Sequence, residues 1–226
     1  MTRDATNDAA ATRESLQPAP RGVFITFEGG EGCGKSTMVR LVAERLRAQG
    51  REVLLLREPG STSLGEQIRA VLLDCGNAGM DPRAELLLYE AARAQMVHEV
   101  VMPAVQAGKV VICDRFNDST VAYQGYARGL GRQVVEAVDA VAVDGLAIDR
   151  TILMVRDTAE ALDAARSLDG GADRLESEPM EFHQRVGEAF ETIARESPDR
   201  VRRVAMRRDV EETYAAVMAE LQDLLG

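Results

Sequence analysis

The chain has 226 residues and a formal net charge of −10, and its length suits one well-buried domain. The acidity argues against a nucleic acid as partner, because binding a polyanion needs a basic surface, and no apolar stretch approaches the length of a membrane span. The three cysteines are widely spaced, which is typical of reduced thiols in the cytoplasm and not of a disulfide framework.

The first 21 residues are rich in Ala, Thr, Asp and Pro. They lack the apolar core of a signal peptide and the arginine-rich, acid-poor composition of a transit peptide. Such a segment cannot bury enough apolar surface to offset the entropy that it loses on ordering. We therefore expect residues 1–21 to be a disordered extension and residues 22–226 to form a single domain.

A glycine-rich motif follows the first predicted strand, Val23–Phe27, and precedes a segment with helical spacing. It matches G-x-x-x-x-G-K-[ST] in the strand–loop–helix context that a phosphate-binding loop requires. Backbone N–H groups and the helix N-terminus face phosphate oxygens in such loops, Lys35 adds a positive charge, and the Ser36 hydroxyl can ligate Mg²⁺. We predict that ATP is bound by Gly29, Gly30, Glu31, Gly32, Cys33, Gly34, Lys35, Ser36 and Thr37.

Cys33 is not required by this motif, and its simplest role is that of a small residue tolerated in the loop. It lies two residues from Lys35 and beside the start of the helix, and both features lower the pKa of an exposed thiol. We therefore hypothesise that thiol reagents modify Cys33 faster than Cys75 or Cys113.

Apolar strand-like runs then alternate with helical segments, a pattern typical of a parallel sheet built from βαβ units. A long helix is predicted from Pro82 to about Met102, where Pro103 should break or kink it. The other predicted strands are Val53–Leu56, Val110–Cys113, Thr151–Val155 and Val201–Met206, and the last predicted helix contains Val210–Leu225. The fold class that we predict is α/β, a P-loop NTPase with a five-stranded parallel sheet flanked by helices and a mobile lid.

Charged residues follow three of these strands directly. Glu28 follows the first, the Arg57-Glu58 pair follows the second, and the Asp114-Arg115 pair follows the third. Because ligands of parallel sheets bind at the carboxyl ends of the strands, these residues should converge on the phosphate loop. Such convergence favours a functional cleft over separate solvated ion pairs.

Four segments together resemble the thymidylate kinase family: residues 28–37, Arg57–Gly60, Ala91–Gln95 and Asp114–Gly125. The resemblance extends from about Val23 to the C-terminus, and the last of these segments is far more specific than the phosphate loop. It implies an enzyme that transfers the γ-phosphoryl group of ATP to dTMP, with Mg²⁺, in the cytoplasm and as a homodimer. No nucleic acid or membrane is expected as a partner.

The resemblance also implies roles for individual residues. Tyr89 would stack on thymine, Arg93 would hydrogen-bond the base, and Tyr123 would disfavour a 2′-hydroxyl. Arg115 would hold the phosphates, and Asp114 and Glu28 would serve the Mg²⁺ shell or the substrate sugar. With the Ser36 hydroxyl of the loop, Asp114 is the metal ligand that we predict. The substrate-binding residues that we predict are Glu28, Glu58, Tyr89, Arg93, Arg115, Ser119, Thr120, Tyr123 and Gln124.

A glycine-rich break near residues 166–178 is the candidate lid that would close over ATP and exclude water. Family members that lack an arginine in the phosphate loop, as this chain does, draw their catalytic arginine from the lid. Arg166 and Arg174 are the candidates, and Asp173–Glu176 fits the family pattern better. The catalytic residues that we predict are therefore Lys35, Arg115, Arg174 and Arg166.

Two alternatives remain open from the sequence. A kinase for another nucleoside monophosphate would share this machinery, whereas a nucleoside kinase would need a carboxylate base such as Glu28 or Glu58. A regulatory P-loop ATPase would hydrolyse ATP without any monophosphate. Turnover with thymidine, or hydrolysis without an acceptor, would separate these from the first interpretation.

Overall fold

The structure is a computed structural model that describes residues 21–158, 160–161 and 173–226. The predicted disorder of residues 1–20 and the assignment of Arg166 lie outside the described residues. Arg21, the last residue of the predicted extension, forms an ion pair with Asp149 at 2.7 Å.

Five parallel strands form one sheet with the order β2-β3-β1-β4-β5. Their bounds are β1 Val23–Glu28, β2 Val53–Arg57, β3 Val110–Asp114, β4 Arg150–Val155 and β5 Val201–Ala205. The predicted five-stranded parallel sheet is thus confirmed. The edge strand β5 accommodates two arginines because Arg202 is half-buried and Arg203 is exposed, while the two valines of the strand are buried.

Helices connect the strands and cover both faces of the sheet. They are α1 Lys35–Ala48, α2 Ser63–Leu73, α3 Pro82–Met96, α4 Met102–Gln106, α5 Asn117–Thr120, α6 Arg132–Val143, α7 Met180–Glu196 and α8 Val210–Leu225. A π-helical turn, Val97–Val101, joins α3 to α4, and a second one, Val121–Ala127, follows α5. No helix of the described residues is both long and apolar enough to cross a membrane.

A break of the helix at Pro103 is excluded, because the chain continues as a helix to Gln106, whereas the alternative of a kink there stays a prediction. Pro103 lies in the first turn of α4, where a missing N–H costs little. The π-helical turn before it accommodates the change in hydrogen bonding.

Three apolar clusters hold these layers together. On one face of the sheet, α1 and α8 pack over Ile25, Ile112 and Ile152. On the other face, Phe24 and Val111 pack against the end of α3 and against α4. The third cluster lies beneath the carboxyl ends of the strands and joins α3, α7 and the turn after α5. The core therefore leaves the carboxyl edge of the sheet open for a site.

Candidate active site

A cleft of about 540 Å³ lies at the carboxyl edge of the sheet, beside the phosphate loop. Most of the predicted site residues line it. They are Glu31, Gly32, Cys33, Gly34, Lys35, Ser36, Thr37, Glu58, Tyr89, Arg93, Asp114, Arg115, Ser119, Thr120, Tyr123 and Gln124. Glu28, Gly29, Gly30 and Arg174 are not part of its lining, although Gly29 and Gly30 border a smaller cavity of about 150 Å³.

The phosphate loop is closed around the Lys35 side chain. The Nζ atom donates to the carbonyl oxygens of Gly29 at 2.8 Å and Gly30 at 2.6 Å. Gly34, immediately before α1, has φ +82°, a left-handed conformation that glycine adopts without strain. A Cβ at position 29 would lie 2.4 Å from the Met154 carbonyl oxygen, so the loop can pass there only as glycine.

Two oxygen ligands suited to Mg²⁺ meet at the mouth of this loop. Ser36 Oγ donates to Asp114 Oδ2 at 2.5 Å. In the part of the chain that the structure describes, no group of three or more His, Cys, Asp or Glu residues could hold a metal. Mg²⁺ commonly takes only one or two protein oxygens and completes its shell with phosphates and water. The two residues therefore fit this ion.

Arg115 faces the phosphate loop from the end of β3. Its backbone has φ +69°, an uncommon conformation for a side-chain-bearing residue and a frequent one at functional sites. The guanidinium donates to the Gly29 carbonyl at 3.0 Å and to Glu31 at 2.6 Å. Burial opposes ionisation of Glu31, but Arg115 and Lys35 outweigh it and lower the Glu31 pKa to about 2. Tyr123 donates its hydroxyl to the same carboxylate at 2.8 Å.

Glu28 supports the site from below the cleft. Its carboxylate accepts hydrogen bonds from the backbone N–H groups of Phe116 and Ser119 at 2.8 and 3.1 Å. The Ser119 hydroxyl lies 2.5 Å from its second oxygen. Burial, followed by the charge of Asp118, raises the Glu28 pKa to about 7. The structure thus places Glu28 where it shapes the turn after β3, and its contact with substrate stays a prediction.

Arg93 lies at the floor of the cleft within a cluster of carboxylates. Its guanidinium meets Glu58 and Glu90 at 2.7 Å each, Asp139 at 3.1 Å and the Thr120 hydroxyl at 2.8 Å. These acceptors engage all five of its N–H groups. A hydrogen bond from Arg93 to a nucleobase therefore requires one of its N–H groups to be shared between the base and a present acceptor.

Arg174 is held away from the cleft. Its side chain is 4% exposed, donates through Nε to the Leu72 carbonyl at 2.7 Å and pairs with Glu85 at 2.5 Å. The expectation that Arg174 faces the phosphates does not hold in this conformation, because the buried Glu85 carboxylate binds the guanidinium. A catalytic role would require the residue to leave this ion pair.

The family model for thymidylate kinase matches residues 27–217. A thymidylate kinase from Geotalea uraniireducens is 44% identical over 203 residues, which cover 88% of this chain and 95% of the relative. One from Bacillus pumilus is 43% identical over 90% of this chain and 97% of its own. The chain belongs to the thymidylate kinase family.

A solved structure agrees with this membership. The crystal structure of the thymidylate kinase from Ehrlichia chaffeensis superimposes with a TM-score of 0.74 at 32% identity, covering 90% of this chain and all of that one. The family, the P-loop fold and the phosphotransferase activity on dTMP, all predicted from the motifs, are thereby confirmed. The interpretation as a regulatory ATPase is set aside.

Two arginines of this thymidylate kinase-family cleft were not among the predicted site residues. Arg57 and Arg69 both line it, and Arg69 donates to the Pro59 carbonyl at 3.0 Å. The sequence had already placed Arg57 at this edge of the sheet, as part of the Arg57-Glu58 pair after the second strand, without giving it a contact. Arg69 lies in the interior of α2 and carries no local signal, because only the packing of α2 brings it to the cleft.

The reactivity hypothesis for Cys33 lacks the exposure that it needs. The Cys33 side chain is buried at 2% exposure, and its sulfur lies 3.5 Å from Lys35 Nζ. Cys113 is also buried, whereas Cys75 is exposed. Access alone therefore favours Cys75 as the first site of labelling.

Proposed function

We propose that this cleft aligns ATP on residues 29–37 with dTMP held between α3 and the turns after β2 and β3. The observation that carries the proposal is that Lys35, Arg115 and the Ser36–Asp114 pair border one cleft, together with Arg57 and Arg69. Four cationic side chains thus line the cleft in which the phosphates of the two substrates must meet.

The reaction needs charge compensation more than proton transfer. The phosphate of a nucleoside monophosphate already presents an anionic oxygen as nucleophile, so no general base is required. Catalysis then consists of aligning two anions that repel each other and stabilising the charge that spreads over the transferring group. Lys35 and Arg115 supply fixed positive charge for this, already oriented by the Gly29 carbonyl.

Ser36 and Asp114 would hold the Mg²⁺ ion that accompanies ATP. When bound, the ion neutralises charge on the β- and γ-phosphates. The 2.5 Å hydrogen bond between the two side chains keeps both oxygens at the mouth of the loop.

The nucleoside end of the cleft is built from aromatic and amide side chains. Tyr89, at 9% exposure in the cluster beneath the cleft, offers a ring for stacking on thymine. Thr120 and Gln124 border the same space, and Tyr123 lies toward the phosphate loop through its bond to Glu31. Arg57 and Arg69 would contact the substrate phosphate.

We further propose a homodimer, a cytoplasmic location and no nucleic-acid partner. Support for the dimer comes from exposed apolar residues on adjacent helices, Leu87 on α3 and Val134 and Val141 on α6. The net charge of −10 supports the absence of a nucleic acid.

A steady-state assay of the full chain with ATP, Mg²⁺ and a panel of monophosphates tests the activity. We expect kcat/KM to be highest for dTMP, lower for dUMP and far lower for dCMP and dGMP. Thymidine should not be phosphorylated, and ATP should not be hydrolysed without an acceptor. Preference for another monophosphate, or turnover of thymidine, would contradict the proposal.

A further inference from the structure

Glu85 is a buried carboxylate that the catalytic mechanism leaves unexplained. It lies on α3, one turn before Tyr89, and its side chain has no solvent exposure. Gln124 Nε2 donates to its Oε1 at 2.6 Å, and Arg128 Nε approaches the same oxygen at 3.2 Å. Its Oε2 meets Arg128 Nη2 at 3.2 Å and Arg174 Nη1 at 2.5 Å.

These partners keep Glu85 ionised. Burial alone would raise its pKa, but hydrogen bonds from Gln124, Arg128 and Arg174 outweigh burial and lower the pKa below the ordinary value. An ionised carboxylate accepts hydrogen bonds and cannot donate them. The Gln124 amide must therefore turn its NH₂ group toward Glu85. The oxygen and nitrogen of an amide side chain look alike, and here the ionised acceptor determines which atom lies on which side.

The orientation of the amide determines what Gln124 offers to a ligand. Gln124 lines the cleft, and its amide oxygen accepts no hydrogen bond from the described residues. Because the amide is planar, committing its nitrogen to Glu85 leaves this oxygen as the group available to the cleft. The site thus presents a hydrogen-bond acceptor beside the place proposed for the base.

We propose that Glu85 is a specificity-determining positioning residue, which fixes the Gln124 amide so that the enzyme selects a pyrimidine with a hydrogen on N3. Thymine and uracil carry that hydrogen, whereas N3 of cytosine is an acceptor and would face the Gln124 oxygen. This inference rests on the proposed function, in which the base lies against Tyr89 and Gln124. Accepting cytosine would require turning the amide oxygen onto the Glu85 carboxylate, at the cost of a buried charge-assisted hydrogen bond.

The variant Glu85→Gln should invert the Gln124 amide. At position 85 an amide oxygen is best placed on the Oε2 side, where it accepts from Arg128 Nη2 and Arg174 Nη1 and gives up only the 3.2 Å contact between Oε1 and Arg128 Nε. Its NH₂ group then faces Gln124, which has to turn its own oxygen inward and its NH₂ toward the cleft. The enzyme would then offer a donor to the base where the parent offers an acceptor.

The experiment compares kcat/KM for dTMP, dUMP and dCMP in the parent and in Glu85→Gln. We expect the dTMP/dCMP ratio to fall by ~10- to 100-fold, the range for losing one hydrogen bond to a charged group. The dTMP/dUMP ratio should stay constant, because both bases carry the N3 hydrogen. Glu136→Gln is the matched control, since it makes the same change of carboxylate to amide at an exposed position of α6 that pairs with Arg132 and lies outside the cleft lining, so its dTMP/dCMP ratio should match that of the parent.

A folded Glu85→Gln protein with the parental dTMP/dCMP ratio overturns the inference. If that variant does not fold, NMR of the parent with labelled glutamine, assigned through Gln124→Met, decides instead. Addition of dTMP should then shift the Gln124 carbonyl carbon and leave its NH₂ protons protected, and the reverse response would overturn the inference. A parent that does not phosphorylate dTMP would count against the proposed function itself, which is a separate outcome.

Discussion

The side chains of Lys35 and Arg115 both donate to the Gly29 carbonyl, at 2.8 and 3.0 Å. The phosphate loop therefore holds two positive charges close together before any nucleotide binds. In the proposed reaction this preorganised charge would stabilise the transition state, whereas Arg93 lies deeper, among Glu58, Glu90 and Asp139.

We expect Lys35→Ala and Arg115→Ala each to lower kcat by ~10²-fold or more, because both cations address charge that develops during transfer. Arg93→Ala should chiefly raise KM for dTMP. Lys109→Ala is the control, because Lys109 is a half-buried lysine that pairs with Glu52 at 3.2 Å at the opposite edge of the sheet. Equal and small effects of the three site variants on kcat would refute these roles.

The buried Glu28 carboxylate makes stability depend on pH. Its pKa is about 7 in the folded chain and near 4.5 when unfolded, so the folded state binds the proton more tightly. This contribution to stability is complete below pH 4.5 and is lost as the pH rises through 7. Glu90, whose pKa burial also raises to about 7, acts in the same window.

Urea unfolding of Glu28→Gln between pH 4.5 and 7.5 tests this linkage. The variant should lose less unfolding free energy than the parent as the pH rises, since an amide mimics the protonated acid at every pH. Part of the pH dependence of the unfolding free energy should remain, because Glu90 still titrates in this range. A slope identical to that of the parent would show that Glu28 does not titrate in this range.

At the scale of elements, the segment of residues 173–179 before α7, called the arm here, is anchored to α3. Arg174 pairs with Glu85 of α3, and Arg128 joins Glu85 to Glu178 of the arm. Two arginines therefore attach the arm to α3. This geometry assigns Arg174 to anchoring in the present conformation.

We expect Arg174→Met to lower the free energy of unfolding by ~2–4 kcal/mol, because it leaves a buried carboxylate with one fewer cation. Arg203→Met is the control, since Arg203 forms an exposed ion pair with Glu191, and such pairs contribute little. Chemical denaturation and single-turnover kinetics measure both quantities. Unchanged stability combined with a ~10³-fold slower phosphoryl transfer would instead make Arg174 the catalytic lid arginine.

For the whole molecule, the apolar face of α3 and α6 is the feature that a monomer would leave in water. Val141 is 81% exposed, Leu87 58% and Val134 49%. Exposed apolar patches of this kind commonly mark protein–protein contacts. The inner faces of the same helices carry Arg93 and Asp139, so the proposed dimer contact lies directly behind the cleft.

We expect Val141→Arg to shift the chain toward monomers, because a charge would be buried at the proposed contact. Sedimentation velocity over a range of concentrations measures the shift. Val210→Arg, at 41% exposure on the last helix, is the control and should keep the parental assembly. A parent that sediments as a monomer at all concentrations would refute the homodimer.

The sequence by itself determined the features whose physical causes are local. The phosphate loop could be predicted because its glycines, Lys35 and Ser36 lie together in residues 29–36, and the strands β1 to β4 because each contains a short apolar run. Even β5 was found within a residue of its observed end. Residues directly after a strand could be assigned to the cleft, because parallel strands end at one edge of the sheet.

Only the tertiary structure decided which distant side chains meet. The strand order, the place of Arg69 and the ion pair that holds Arg174 depend on packing between segments far apart in the chain. Glu85, Gln124 and Arg174 carry no shared motif, yet they converge because burying one carboxylate requires donors from wherever the fold supplies them. Local patterns thus predicted the phosphate loop, and the need to satisfy buried charge determined the network around Glu85.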